Sequence, residues 1–354
     1  MALFNGLLEQ AREKKASDIH LTPNASPIFR VAGKLMIQPG DAISEEIIAG
    51  WVNDIVSVEM AKTLATTGQI DFSYATEDLG RFRINAYRTM NGTNMAIRAL
   101  NETIPVFDDL KLPSVLKETI KSVSGLIIVA GPTGSGKSTS LAAMVNEINI
   151  SLSRHIITIE DPIEYVHNNS LSMINQREVG KDTDSFAGSL RAALRQDPDV
   201  ILVGEMRDHE TISTALTAAE TGHLVMTTLH TQSAAQTIDR IIDVFPPHQQ
   251  QQIRVQLAAV LQAVMIQRLV PRANGNGRVL VTELLILNNA SRNLIREGKT
   301  HQINSIIQTG GKLGMHLMDQ KLKELVQRGD IELAQALEIV QDNDAFLRMA
   351  GYHV

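Results

Sequence analysis

A short run in the middle of the chain has the residue types and spacing to hold a nucleoside triphosphate. Gly131, Pro132, Thr133, Gly134, Ser135, Gly136, Lys137, Ser138 and Thr139 fit G-x-x-x-x-G-K-[ST]. The run follows an apolar segment and opens a helical one, the context in which this pattern carries weight. Glycine lets backbone N–H groups turn in around phosphate oxygens with no Cβ in the way. The N-terminus of the following helix adds the positive end of its dipole. Lys137 would place a point charge on the β- and γ-phosphates, and the Ser138 hydroxyl would be a ligand for Mg²⁺.

Turnover also needs a group that acts on water. Glu205 ends the run DPDVILVGE (197–205), an apolar strand closing in an acid. Ligands of open α/β sheets collect at the carboxyl ends of strands, so Glu205 is expected beside the phosphates. There it would polarise the attacking water or reach Mg²⁺ through water. The plainer reading is an acid that caps the next helix, expected over 208–221. Glu160, Asp161 and Glu164 form a second acidic cluster past a strand. Pro162 breaks regular structure there, so spacing does not orient them. They read either as metal-facing groups, Asp161 through water, or as solvated loop acids. His230 and Thr231 end the strand TGHLVMTTLHT (221–231) on the same expected edge and could sense the γ-phosphate. His223, at that strand's beginning, suits packing or an interface.

Arginines complete the candidate set. In RFRINAYR (81–88), alternation puts Phe82, Ile84 and Ala86 on one face and Arg81, Arg83 and Asn85 on the other. A second strand carries Arg98, so Arg83 and Arg98 could share a polar face. Guanidinium groups suit phosphate recognition, and an arginine delivered from outside a P-loop core accelerates hydrolysis. A solvated strand face is the other reading, as a charged helix face is for Arg191 and Arg195.

Two kinds of element must position these groups. Residues 1–100 read as a small α/β unit: a helix at 3–15, a strand pair turning near Gly33, a helix around 44–66, and a hairpin of 81–89 with 93–100 about Asn91-Gly92. Pro105 and Pro113 mark 101–113 as a connector, with a helix near 114–123 after it. From Gly125 the pattern becomes continuous apolar runs at 126–130, 155–159, 200–203 and 224–228, alternating with helices. Unbroken apolar strands indicate a sheet covered on both faces, hence a doubly wound α/β domain over 114–354. A further strand is expected at 279–287, then three or four helices over 288–349.

The 354 residues suit two domains. The absence of cysteine rules out disulfides and thiolate zinc sites. The N-terminus reads as an amphipathic helix rather than a signal peptide, and no apolar run approaches spanning length. A cytoplasmic protein without direct membrane insertion is expected. The net charge of -6 argues against nucleic acid as partner.

The ordered set GPTGSGKST (131–139), IEDPIEYVH (159–167), DPDVILVGEMRD (197–208) and TGHLVMTTLHT (221–231) resembles the Walker A, Asp box, Walker B and His box of the secretion and pilus ATPases. ASDIHL (16–21) is similar to the opening of their N-terminal domain. Within that superfamily the chain most resembles the PilT-type retraction ATPases. Assembly ATPases of the PilB or GspE kind usually carry a longer N-terminal region and a four-cysteine zinc motif, and this sequence has neither. ASRNLIRE (290–297) resembles the retraction family's AIRNLIRE, with Ser291 in place of Ile, which removes an apolar contact from that helix. The resemblance implies a PAS-like α+β domain before a RecA-like P-loop NTPase domain, in a homohexamer that binds Mg-ATP at each interface. It matches Glu205 to the catalytic glutamate, Glu164 to the Asp-box acid, Arg83 and Arg98 to phosphate-reaching arginines, and His230 to a nucleotide-sensing position. It further implies pilus retraction and twitching motility, acting on a PilC-like platform protein of the inner membrane, with a paralogous retraction ATPase as a further candidate partner. ATP-driven closure about the connector would supply the motion. A pilus-assembly or type II secretion ATPase and a RecA-like nucleic-acid translocase are the rival readings.

Overall fold

The computed structural model describes residues 1–76, 78–100 and 103–352. Asn101 and Glu102 of the expected connector lie outside them. The chain divides into two compact units: Met1–Thr103 with Pro162–Tyr165, and Ile104–Asp161 with Val166–Val354.

The first unit holds helices α1 (Ala2–Glu13), α2 (Glu45–Ile55) and α3 (Val58–Thr67), with strands β1 (Ala16–Leu21), β2 (Ile28–Val31), β3 (Lys34–Ile37), β4 (Gln69–Thr76), β5 (Gly80–Thr89) and β6 (Gly92–Ala99). The strands form an antiparallel sheet in the order β3-β2-β1-β6-β5-β4. Alternation along β5 buries Phe82, Ile84 and Ala86 against Phe4, Ile19 and Ile48, as the pattern predicts. The helix expected at 44–66 is two helices. Val56 is extended, and Ser57 caps α3 by accepting the Met60 N–H at 3.2 Å. The hairpin turns at Met90-Asn91, because Thr89 already pairs with Gly92. Gly92 is required by packing: at φ +111 it lies where a Cβ would strike the Glu45 side chain.

The second unit contains α4 (Val115–Thr119), β7 (Gly125–Ala130), α5 (Lys137–Ser151), β8 (His155–Glu160), β9 (Met173–Glu178), α6 (Phe186–Ala193), β10 (Val200–Val203), α7 (His209–Glu220), β11 (Leu224–Leu229), α8 (Ala234–Asp243), α9 (Pro247–Val260), β12 (Leu261–Pro271) and β13 (Arg278–Ile286). It continues with α10 (Asn289–Arg296), α11 (Ile303–Thr309), α12 (Met318–Gln327), α13 (Leu333–Leu337) and α14 (Asn343–Ala350). Its seven strands run β13-β12-β7-β11-β10-β8-β9, all parallel except β13. Every residue of β7, β10 and β11 is buried. Leu126 and Ile128 pack with Ile212 and Ile238 on one face of the sheet; Ile127 and Val129 pack with Leu141 and Met144 on the other. This is the two-faced covering that unbroken apolar strands imply.

The C-terminal part has five α-helices where three or four were expected. Ser291 does lose the apolar contact of an isoleucine, yet it is fully buried and closes a capping box: its hydroxyl accepts the Asn288 N–H at 2.9 Å, while the Asn288 side chain accepts the Ser291 N–H at 2.9 Å. The polar replacement fastens the start of α10. No helix among the described residues is long and apolar enough to cross a membrane.

Candidate functional site

The glycine-rich run joins the end of β7 to the start of α5. Gly131 bonds to the neighbouring strand through its N–H to the Leu229 carbonyl, 3.2 Å. Its φ of +148 and the nearness of the Gln267 carbonyl and the Ser135 hydroxyl leave no room for a Cβ. Gly134 and Gly136 also have positive φ, +78 and +86, and nothing lies within 4 Å of where a Gly134 Cβ would be. Helix α5 opens at Lys137 without a side-chain cap. An uncapped helix start behind a glycine cradle fits phosphate oxygens, whose charge the helix N–H groups and dipole favour. Lys137 arches over the loop, donating from Nζ to the carbonyls of Gly131 (2.9 Å) and Pro132 (3.1 Å).

Glu205 stands just past β10, beside the loop's neighbour β11. Gly204 bonds to Ile159 on one side (2.8 Å) and accepts the Thr228 hydroxyl on the other (2.6 Å), which fixes the backbone that carries Glu205. The Glu205 carboxylate accepts Arg207 Nε at 2.7 Å and lies 3.7 Å from His230 Nε2. The helix-capping alternative does not hold, because Asp208 caps α7 by accepting the Thr211 N–H at 2.8 Å. Glu205, Arg207, His230, Thr231 and Gln232 line a cavity of about 490 Å³. Burial and the positive charges of Lys137 and Arg207 lower the His230 pKa against the opposing pull of Glu205, so the imidazole is neutral near pH 7. Strand β11 lies between β7 and β10, so the phosphate loop, Glu205 and His230 follow three adjacent parallel strands at one edge of the sheet.

Glu160 ends β8 beside Gly204. Glu160 accepts the Thr158 hydroxyl (2.6 Å) and the Gln176 amide (3.1 Å), and Asp161 is exposed beyond it. Glu164, in the segment Pro162–Tyr165, belongs to the first unit, which also holds Arg83 and Arg98. Those arginines are cross-strand partners on β5 and β6. Arg83 grips Asp71 through two bonds, 3.1 and 2.7 Å, and Arg98 bonds to Asp18 at 2.9 Å. Burial opposes the charge on Asp18, but bonds from Ser17 and Arg98 outweigh it and hold its carboxyl below the usual range. Arg191 pairs with Glu210 across α6 and α7, and His223 Nδ1 meets the Ala218 carbonyl at 2.9 Å, a packing contact. Among the described residues no group of three or more His, Cys, Asp or Glu could hold a metal. A magnesium ion here would take few protein ligands, which suits Ser138 plus phosphate oxygens and water.

Sequence reasoning missed Gln267. It is fully buried on β12, and its Nε2 donates to the Ser135 carbonyl inside the phosphate loop at 2.6 Å. A polar residue within the apolar run 263–270 was the available signal.

The family model described as type II/IV secretion system protein matches residues 1–340. The chain is 47% identical over 320 residues to the twitching motility protein of Neisseria gonorrhoeae, covering 90% of this chain and 86% of that protein. It is 45% identical over 332 residues to the type IV pilus retraction ATPase PilT of Pseudomonas aeruginosa, covering 94% and 96%. A crystal structure of the pilus retraction motor PilT with bound ADP superposes with a TM-score of 0.90 at 48% identity, covering 97% of this chain and 98% of that one.

Proposed function

Because the chain belongs to the type II/IV secretion system protein family, we propose that it is a Mg-ATP-driven motor that retracts type IV pili and so powers twitching motility. The observation that carries this reading is that Lys137, Glu205 and His230 follow the carboxyl ends of the adjacent parallel strands β7, β10 and β11, in a chain 45% identical over 94% of its length to the retraction ATPase PilT.

The residues divide the work. The loop backbone from Gly131 to Gly136 and the first turn of α5 hold the phosphates, with Thr139 closing the run. Lys137 exchanges its two carbonyl partners for phosphate oxygens, so its charge is already delivered at the loop. Glu205 orients and deprotonates the attacking water. Neutral His230 stays beside it as an acceptor or donor without competing for its charge. Ser138 would hold Mg²⁺, with Glu205 or Asp161 reaching it through water, and the ion would supply charge neutralisation at the phosphoryl oxygens. Arg83, Arg98 and Glu164 act on the nucleotide in the assembled ring; they are carried by resemblance to the family. Assembly as a homohexamer, a seat on the cytoplasmic side of the inner membrane, a PilC-like platform partner and cooperation with a paralogous retraction ATPase belong to the same proposal.

Deletion of the gene in a piliated host tests it. Retraction predicts lost twitching with surplus surface pili; bald cells would mean assembly and overturn the reading.

A further inference from the structure

A row of charged side chains crosses the sheet of the first unit on the face turned away from its core. Phe29, Ile19, Ile97, Ile84 and Phe72 are buried on the core side of β2, β1, β6, β5 and β4. Their neighbours along each strand, Arg30, Asp18, Arg98, Arg83 and Asp71, therefore point the other way. The ladder sets these side by side. Arg30 pairs with Asp18, Asp18 with Arg98, and Arg98 with Arg83; Asp71 stands two residues before Ser73, the residue opposite Arg83.

Arg83 and Arg98 are thus directly opposite each other, and like charges so placed repel. Each is countered from its outer side by one carboxylate. Asp71 takes Nε and a terminal nitrogen of Arg83, at 3.1 and 2.7 Å. Asp18 takes only Nε of Arg98, at 2.9 Å. Among the described residues nothing else bonds to the Arg98 side chain, which is 63% exposed, so both terminal nitrogens are open. They are the part of a guanidinium that forks onto phosphate oxygens.

Asp18 is itself well fixed. It belongs to the ASDIHL run, lies on β1 between β2 and β6, and its side chain is 14% exposed. Its second oxygen accepts the Ser17 hydroxyl at 2.8 Å and has Arg30 Nε at 3.8 Å. Burial opposes the charge, but bonds from Ser17 and Arg98 keep the carboxyl ionised. An arginine held at Nε has already lost much of the rotamer freedom that meeting a phosphate would cost.

We propose that Asp18 is a positioning residue for ATP turnover: by holding Arg98 at Nε, it sets the guanidinium with both terminal nitrogens offered to phosphate oxygens. The inference rests on the reading above, in which Arg98 acts on the nucleotide in the assembled ring. It gives the ASDIHL run a chemical task, and it makes Arg83, held by two nitrogens, the less available of the pair.

A double-mutant cycle separates this task from a merely structural one. Asp18→Asn, Arg98→Ala and the two together are compared with the parent by steady-state ATPase kinetics, ADP affinity and Tm, all on the full-length assembled protein. Asparagine keeps the shape of the side chain but holds the guanidinium only through a neutral acceptor. Asp18→Asn should lower kcat by roughly 5–30-fold in the parent, with ADP affinity within about twofold, and by less than about twofold where Arg98 is already alanine. A loss of equal size in both backgrounds would overturn the proposal, as would a kcat that Asp18→Asn leaves unchanged. So would joint losses of kcat, ADP affinity and Tm, which would mark a structural group. Arg98→Ala with the parental kcat would end the arginine's role and this inference, leaving the ATPase reading in place. Turnover that Lys137→Ala does not abolish would overturn that reading as well.

Discussion

Replacing Gln267 by Leu asks how much the phosphate loop owes to a single side chain on β12. The side chain is fully buried, and its amide donates to the Ser135 carbonyl at 2.6 Å, while its Oε1 has no partner. Leucine fills nearly the same volume, so the cavity cost is small. The Ser135 carbonyl loses its donor, a cost of about 1–3 kcal/mol for a buried acceptor. Removal of the orphan Oε1 returns part of that, leaving a net loss of about 1–2 kcal/mol. That loss falls on the native loop conformation, the one that holds the phosphates. The affinity for ATP and ADP should therefore weaken about 5–30-fold. Tm should drop by roughly 2–4 °C per kcal/mol for a unit of this size. Fluorescent-nucleotide titration and scanning calorimetry read both. Nucleotide affinity within twofold of the parent would mean that the bond does not hold the loop.

Three further outcomes follow from the geometry. Gly131→Ala puts a Cβ against the Gln267 carbonyl and 2.8 Å from the Ser135 hydroxyl, so it should abolish measurable nucleotide binding in a titration where the parent saturates. Ser291→Ala should lower stability by about 1 kcal/mol, read in urea melts, by unmaking the capping box at the start of α10. Burial lowers the pKa of His167 to about 4, and its Nδ1 has no partner. The unfolded chain takes up that proton near its ordinary value, so stability is full above about pH 6.5 and falls as pH drops toward 4, by as much as about 3 kcal/mol. His167→Gln should flatten that acid limb in stability-versus-pH curves.

What the sequence disclosed was local. The phosphate loop is a contiguous run flanked by its own strand and helix, and Glu205 sits at the end of a continuous apolar strand, so both could be placed without knowing what lay beside them. Gln267 reaches the loop across a separation of 132 residues, and Glu283 reaches the start of α8 across 49, neither of which spacing can reveal. Strand β12 was hidden for another reason. Helix α9 passes into it at Val260 and Leu261 with no turn residue between, inside one apolar run, so helix and strand periods blur. At Ser291 the sequence showed a lost apolar contact but not the cap that replaces it. The ion pairs of Arg83 with Asp71 and Arg98 with Asp18 depend on strand order, which brings β4 beside β5 and β1 beside β6.

In the proposed motor Glu205 acts on water at a nucleotide held by the Gly131–Thr139 loop. Measuring ATP binding and single-turnover hydrolysis side by side in Glu205→Ala tests it most directly. Affinity should stay within about twofold of the parent, and hydrolysis should slow by roughly 100-fold or more. Hydrolysis within a factor of about two of the parent, with binding intact, would contradict it.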